Sequence, residues 1–302
     1  MLAVRTAIST LLPPDRSSSI WRNTFNISSS EKRFRVIIPS QNLSKTLTKF
    51  WTSYKGARQS QASVLESIYE QLPVRTAPYD AASCRAGLVI VDEINGFATI
   101  GAGPLAPTEH NDQVDQMVSE TDRLARLFAK QDRPIALFLD THEPGKSEQP
   151  YPPHCEIGSG QEELVPELDW LQGCPQATLL RKDCISGYIG AIDNQTGSNL
   201  FETWARDHQL ETMIVTGICT DICVMDFVLT VLSARNHGLL PGLKDVVVLE
   251  SACATYDLPR DKAQSRGLPK TASHPQEITH HLGLYFMASR GAIIASRIDI
   301  VD

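Results

Sequence analysis

Met213-Ile214-Val215-Thr216-Gly217-Ile218-Cys219-Thr220-Asp221-Ile222-Cys223-Val224 passes from a β-branched apolar run, through a glycine, into an apolar helical segment reaching about Asn236. A short apolar run closed by a turn residue reads as a fully buried strand, the kind found in parallel sheets. Thr220 or Asp221 suits the helix N-cap, which puts Cys223 in the first helical turn. Backbone N–H groups there lack partners and the helix dipole is positive, so the thiol is expected to have a lowered pKa with oxyanion donors beside it. The bland alternative is a small buried helix cysteine.

Three more strand-like runs upstream end in a reactive residue. Leu88-Val89-Ile90-Val91 ends in Asp92, Ile135-Ala136-Leu137-Phe138-Leu139 in Asp140 with His142 just beyond, and Ala177-Thr178-Leu179-Leu180-Arg181 in Lys182. After Asp92 comes a loop rich in Gly and Pro, then a segment over 111–130 in which Val114, Met117, Val118, Leu124, Leu127 and Phe128 share a helical stripe. Further strands over 245–251 and 292–295 bring the expected number to six. Strands alternating with helices predict an α/β fold, a doubly wound six-stranded parallel sheet with helices on both faces. Right-handed crossovers put all carboxyl ends on one side, where such sheets bind ligands. An acid, a metal-type pair, a base and a thiol therefore converge on one rim.

Composition narrows the function classes. The 302 residues carry a net charge of −7 and are 42% hydrophobic, enough for a sizeable core. No apolar run approaches the roughly 20 residues a membrane-spanning helix needs. Residues 1–60 hold ten Lys/Arg against Asp15 and Glu31, with eleven Ser and six Thr. That composition fits an organellar transit peptide or a disordered extension, so residues 1–80 are read as an N-terminal extension and 81–302 as the folded domain. The remaining body is acidic and offers no basic patch, which argues against a nucleic-acid partner. Seven Cys without regular spacing predict reduced thiols in an intracellular compartment. The loop after the first strand does not fit GxGxxG, so no dinucleotide site is expected.

Adjacent strand residues point to opposite faces, so of Arg181 and Lys182 only one can face the rim, and Glu93 should point away if Asp92 faces it. Asp92 suits a general acid and base, and Lys182 a cation that favours a Cys223 thiolate. Asp140, His142 and His154, the last held behind Pro152-Pro153, give three O/N donors of the kind a catalytic divalent metal requires, with Cys155 as a competitor. His274, His280 and His281 have no carboxylate at ligand spacing and are read as packing or exposed residues.

These residues together closely resemble the nicotinamidases of plant type, within the isochorismatase-like cysteine hydrolases. The matching motifs are Val91-Asp92-x-x-Asn95-x-Phe97, Asp140-x-His142, Pro152-Pro153-His154-Cys155, Lys182 and Gly217-x-x-Thr220-Asp221-x-Cys223-Val224, covering about 87–296. The resemblance implies an isochorismatase-like fold and hydrolysis of nicotinamide to nicotinate and ammonia in NAD salvage, with Cys223 as nucleophile beside Lys182. Asp92 would be the proton carrier, with the N–H groups of Cys219 and Cys223 as oxyanion hole and the Ile218–Cys219 peptide cis. It further implies a divalent metal on Asp140, His142 and His154, zinc foremost with iron and manganese as alternatives, which positions a pyridine ring between Phe97 and Tyr151. Departures lie at Ile94-Asn95-Gly96, Tyr151 and Cys219, and the basic loop over 258–273 has no matched role. The alternatives are an amidohydrolase for another carbamoyl or ureido compound, and a catalytically silent ligand-binding member. No membrane partner is expected, and self-association into a homo-oligomer stays open. The expected location is the cytoplasm or nucleus, or a plastid or mitochondrion if the extension directs import.

Overall fold

The computed structural model describes residues 22–29, 32–39, 64–146 and 148–300. The chain divides into two compact units, Met1–Ile68 and Tyr69–Asp302. In the first, β1 (Arg22–Ser29) and β2 (Lys32–Pro39) pair as an antiparallel hairpin. The rest of the expected N-terminal extension up to residue 63 lies outside the described residues.

The second unit is built on a seven-stranded sheet in the order β3-β9-β8-β7-β4-β5-β6, every neighbouring pair parallel. Its strands are β3 (Thr76–Asp80), β4 (Ala86–Val91), β5 (Ile135–Asp140), β6 (Ala177–Lys182), β7 (Thr212–Ile218), β8 (Asp245–Ala254) and β9 (Ile293–Asp299). Six of these are the expected strands, and the count of six is corrected by β3. That strand is mostly exposed and contains Pro78, which cannot donate to a ladder, so it carries no apolar run and is confined to an edge. The Tyr79 hydroxyl fastens it by donating to Asp245 Oδ2 at 2.8 Å.

Alternation along β4 distributes the core over two layers. Leu88 and Ile90 pack on one face with Met117, Leu124 and Phe128 of α1 (Asp112–Lys130). Val89 and Val91 pack on the other with Phe201 of α2 (Leu200–Asp207), Phe227 of α3 (Cys223–His237) and Leu284 of α4 (Gln276–Ala288). Asn111 caps α1, its side chain accepting from the N–H groups of Gln113 and Val114. Among the described residues no helix is long and apolar enough to cross a membrane, and all seven cysteines are free.

Candidate active site

Strand order reverses at β4, which leads outward through β5 and β6 on one side while β7 lies on the other. A crevice opens at such a switch point outside the carboxyl ends. Asp92 follows β4 there with φ 56°, a left-handed conformation rare for a non-glycine residue and typical of functional turns. Gly217 lets β7 come close. Its φ is 131°, and a Cβ would sit 2.0 Å from the Val91 carbonyl oxygen.

The β5–β6 register places Asp140 directly opposite Lys182. Both side chains turn inward, and the Lys182 Nζ donates to Asp140 Oδ1 at 2.9 Å and to the Cys184 carbonyl at 3.0 Å. It also lies 2.9 Å from Asp92 Oδ2. Asp92 Oδ1 accepts the Asp140 N–H at 2.9 Å, whereas Oδ2, in ionic contact with Lys182, has no aligned hydrogen-bond donor and is the oxygen left for the Cys223 thiol. Arg181 points outward, to Thr141 and Glu163 at the surface, as alternation requires. Glu93 points away from the site, and is fully buried.

Burial pushes the Asp92 carboxyl up to about 6, with Lys182 opposing and Asp140 reinforcing the rise. Asp140 is also buried, but Lys182, His142 and His154 outweigh that cost and hold it well below the usual carboxylate range. Lys182 stays a cation because its carboxylate neighbours outweigh its burial. The thiol departs from expectation: burial pushes Cys223 up, Lys182 offsets this only in part, and Asp92 adds to it. At rest Cys223 is therefore a thiol and not the expected thiolate.

The N-cap of α3 also differs from expectation. It is Ile222, without a side-chain cap, and Cys223 is the first helical residue. Thr220 and Asp221 are drawn off instead to His280 and His274. The N–H groups of Thr220, Ile222 and Val224 bond to carbonyls of Ala254, Cys219 and Cys219. Among the described residues no carbonyl takes the N–H of Cys219 or Cys223, so both remain as donors for an anion. The Ile218–Cys219 peptide is cis.

Asp140, His142 and His154 are all buried, with ligand atoms within 4.8 Å of one another. Asp140 Oδ2 is 2.9 Å from His142 Nε2 and 3.1 Å from His154 Nε2. His154 Nδ1 donates to the Pro152 carbonyl at 2.8 Å, which aims the Nε2 lone pair at the cluster. One carboxylate and two imidazoles, one of them oriented through its second nitrogen, suit a divalent metal, and the three residues fit it as donors. Cys155 is not in the group. It is buried with φ 46°, and its thiol is pushed up by that burial.

Asp140 and His154 share one pocket with the thiol, and its lining includes Cys223, Cys219, Phe97, Tyr151 and Tyr256. The Phe97 and Tyr151 rings lie 5.7 and 6.1 Å from the His154 ring. Tyr256 was not foreseen, although β8 runs to Ala254 and the rim rule would have pointed to the residues just after it. His274 has no carboxylate at ligand spacing in the sequence, yet its Nε2 meets Asp221 Oδ2 at 2.7 Å, a pairing across 53 residues that spacing cannot show.

The chain belongs to the isochorismatase domain family, whose pattern matches residues 86–277. Over 240 residues the chain is 48% identical to Nicotinamidase 1 of Arabidopsis thaliana, covering 77% of this chain and 97% of that one. Its fold is shared with a pyrazinamidase/nicotinamidase from Streptococcus mutans (TM-score 0.51, 17% identity, 69% of this chain and 99% of that one). It is shared equally with a nicotinamidase from Bacillus subtilis (TM-score 0.51, 21% identity, 70% and 99%).

Proposed function

We propose that this chain is a nicotinamidase, hydrolysing nicotinamide to nicotinate and ammonia through a Cys223 thioester, in NAD salvage. One observation carries the reading: the Cys223 thiol lines one pocket with Asp140 and His154, and Asp140 is shared between the buried Asp92–Lys182 pair and the Asp/His/His group, in a chain 48% identical to Nicotinamidase 1. The Cys223 sulfur attacks the carboxamide carbon while its proton passes to Asp92 Oδ2, the oxygen without an aligned donor. The N–H groups of Cys219 and Cys223 hold the oxyanion. Asp92 then gives the proton to the amide nitrogen, the C–N bond breaks and ammonia leaves. Water attacks the thioester with Asp92 as base, nicotinate departs and the thiol is restored. Lys182 keeps its charge throughout and steadies whichever neighbour is anionic.

Asp140, His142 and His154 would hold a divalent ion, zinc foremost with iron or manganese as alternatives, which as a Lewis acid at the pyridine nitrogen orients the ring and withdraws electrons from the carboxamide. Phe97 and Tyr151, beside His154, are the ring-packing walls in this reading.

Ammonia release from nicotinamide by the purified chain, before and after chelation, is the test. Release that falls on chelation, returns with metal and is abolished in Cys223→Ala supports the assignment. Release only from other carbamoyl or ureido compounds moves the activity to another amide. Absence of release from either, with Cys223 resistant to mild alkylation, makes the chain a silent binder. The location proposed is the cytoplasm or nucleus, or a plastid or mitochondrion if the basic, Ser/Thr-rich residues 1–60 direct import. A fluorescent fusion of residues 1–80 distinguishes them.

A further inference from the structure

Tyr256 forms part of the pocket wall, and the His274 ring stacks on it with centroids 3.9 Å and planes 11° apart. His274 Nδ1 lies 2.9 Å from the Tyr256 carbonyl oxygen and Nε2 lies 2.7 Å from Asp221 Oδ2. A carbonyl oxygen and an ionised carboxylate only accept, so each ring nitrogen must carry a hydrogen. Asp221 belongs to the turn over 219–223 that presents the oxyanion donors. Its other oxygen accepts the Thr255 hydroxyl at 2.6 Å. The same turn is gripped from α4, where Thr220 Oγ1 meets His280 Nδ1 at 2.8 Å. A Cβ on Gly283 would lie 2.9 Å from the Asp221 Cα. The basic loop over 258–273 is closed at its base by Leu258 and His274, whose N–H groups donate to each other's carbonyls at 2.8 and 2.7 Å.

We propose that His274 acts as a buried imidazolium, a positioning residue that ties the pocket wall at Tyr256 to the turn over 219–223 and thereby sets the fit of the substrate ring. The groups facing it are Asp221 from the turn, the Tyr256 ring and carbonyl from beyond β8, and Thr279 of α4, whose hydroxyl is 3.5 Å from Nδ1. Burial works against its charge, but the hydrogen bond and charge of Asp221 outweigh this and raise its pKa. His280 is held neutral by burial, its pKa pushed down to about 4, so it adds no competing charge. Loss of the His274 proton would leave one acceptor facing a lone pair and free the wall from the turn.

Nitrogen-15 NMR of histidine-labelled full-length chain tests the charge without any substrate. Both His274 ring nitrogens are expected to be protonated at neutral pH. One bare nitrogen overturns the proposal. Asp221→Asn, which keeps the side-chain shape and removes the anion, supplies the kinetic arm. This arm rests on the nicotinamidase reading. KM for nicotinamide should rise about tenfold with kcat within about threefold, the pattern of lost ground-state binding. A folded Asp221→Asn chain with unchanged KM overturns the proposal. If the wild-type chain releases no ammonia from nicotinamide, the functional reading fails while the NMR result still decides the role of His274.

Discussion

Asp92→Asn separates catalysis from stability more cleanly than any other single change. The variant keeps the side-chain volume and an oxygen for the Asp140 N–H, but removes the carboxylate oxygen that meets Lys182 and has no aligned donor. A proton carrier contributes about 10² to 10⁴ in rate, and here it serves both half-reactions, so kcat/KM should fall by about 10³ to 10⁴, or ~4–5.5 kcal/mol. Stability moves far less because two terms oppose. With its carboxyl pushed up to about 6 from 3.8, ionised Asp92 costs the fold ~3 kcal/mol at neutral pH, and the amide removes that cost. Breaking a buried ion pair costs ~3–5 kcal/mol, and Lys182 keeps Asp140. The net is ~2 kcal/mol or less, a melting shift under about 8 °C. The pH sign follows from the same shift. Below about 6 Asp92 is protonated and cannot take the thiol proton, so wild-type kcat/KM should fall about tenfold per pH unit. As pH rises from 3.8 to 6 the fold loses the stability that Asp92 contributes when protonated. Ammonia release measured over pH 4.5–8 reads the limb, and thermal melts read stability. A variant within tenfold of wild type, or one that retains the same acid limb, refutes Asp92 as proton carrier.

Glu93 is fully buried and pushed up to about 8 by that burial, and both its Oε2 and the Thr216 hydroxyl oxygen it faces lack a partner. Glu93→Gln should therefore remove a loss of stability that develops between pH 4.5 and 8, worth a few kcal/mol at the upper end. Melts at pH 5 and 9 check it, and activity should stay within about threefold. Lys182→Met leaves two buried carboxylates uncompensated and should cost ~3–5 kcal/mol along with most activity. Arg181→Ala, beside it in sequence, breaks an exposed ion pair and long, mostly exposed hydrogen bonds and should change stability by ~1 kcal/mol or less, a contrast read by denaturant titration. His154→Ala removes an oriented imidazole from the metal-type group, so metal retained after dialysis, measured by elemental analysis, should drop about tenfold or more.

Three of the strands that build the rim, β4, β5 and β7, were legible because each is buried on both faces and so reads as an uninterrupted apolar run, whereas β6 is an edge strand with only Leu180 and Lys182 buried. β5 ends on Asp140 and β6 on Lys182 as the sequence implied. Alternation showed that only one of Arg181 and Lys182 could face the rim, and the family resemblance selected Lys182. β3 escaped because an edge strand facing water needs no apolar run, and Pro78 reads as a break. The N-cap at Thr220 or Asp221 was the natural assignment for those residue types, but both side chains have stronger partners brought in by α4 and the segment before it. Those partners lie 53 and 60 residues away, and local preference carries no information about them. The thiol's pKa was misjudged for a related reason. Helix dipole and lysine are visible in sequence, whereas complete burial beside a second carboxylate is a property of the packed site.

That protonated thiol has a consequence for how the charge is managed. At rest Lys182 already faces two anions, Asp92 and Asp140, so the buried cluster carries one net negative charge. A standing Cys223 thiolate would add a third anion to the same cation, which the low dielectric of a buried site opposes. Transfer of the sulfur proton to Asp92 leaves the count unchanged: one anion disappears as another forms, and Lys182 remains next to both positions. The nucleophile is therefore generated at no cost in local charge, and only against an electrophile that can accept the electron pair. Asp140 makes this arrangement depend on the neighbouring group of ligands, because its Oδ1 accepts from Lys182 while its Oδ2 faces both imidazoles. A cation at those imidazoles would draw on the same carboxylate that holds the lysine, linking ring placement to the charge balance at the sulfur through one side chain.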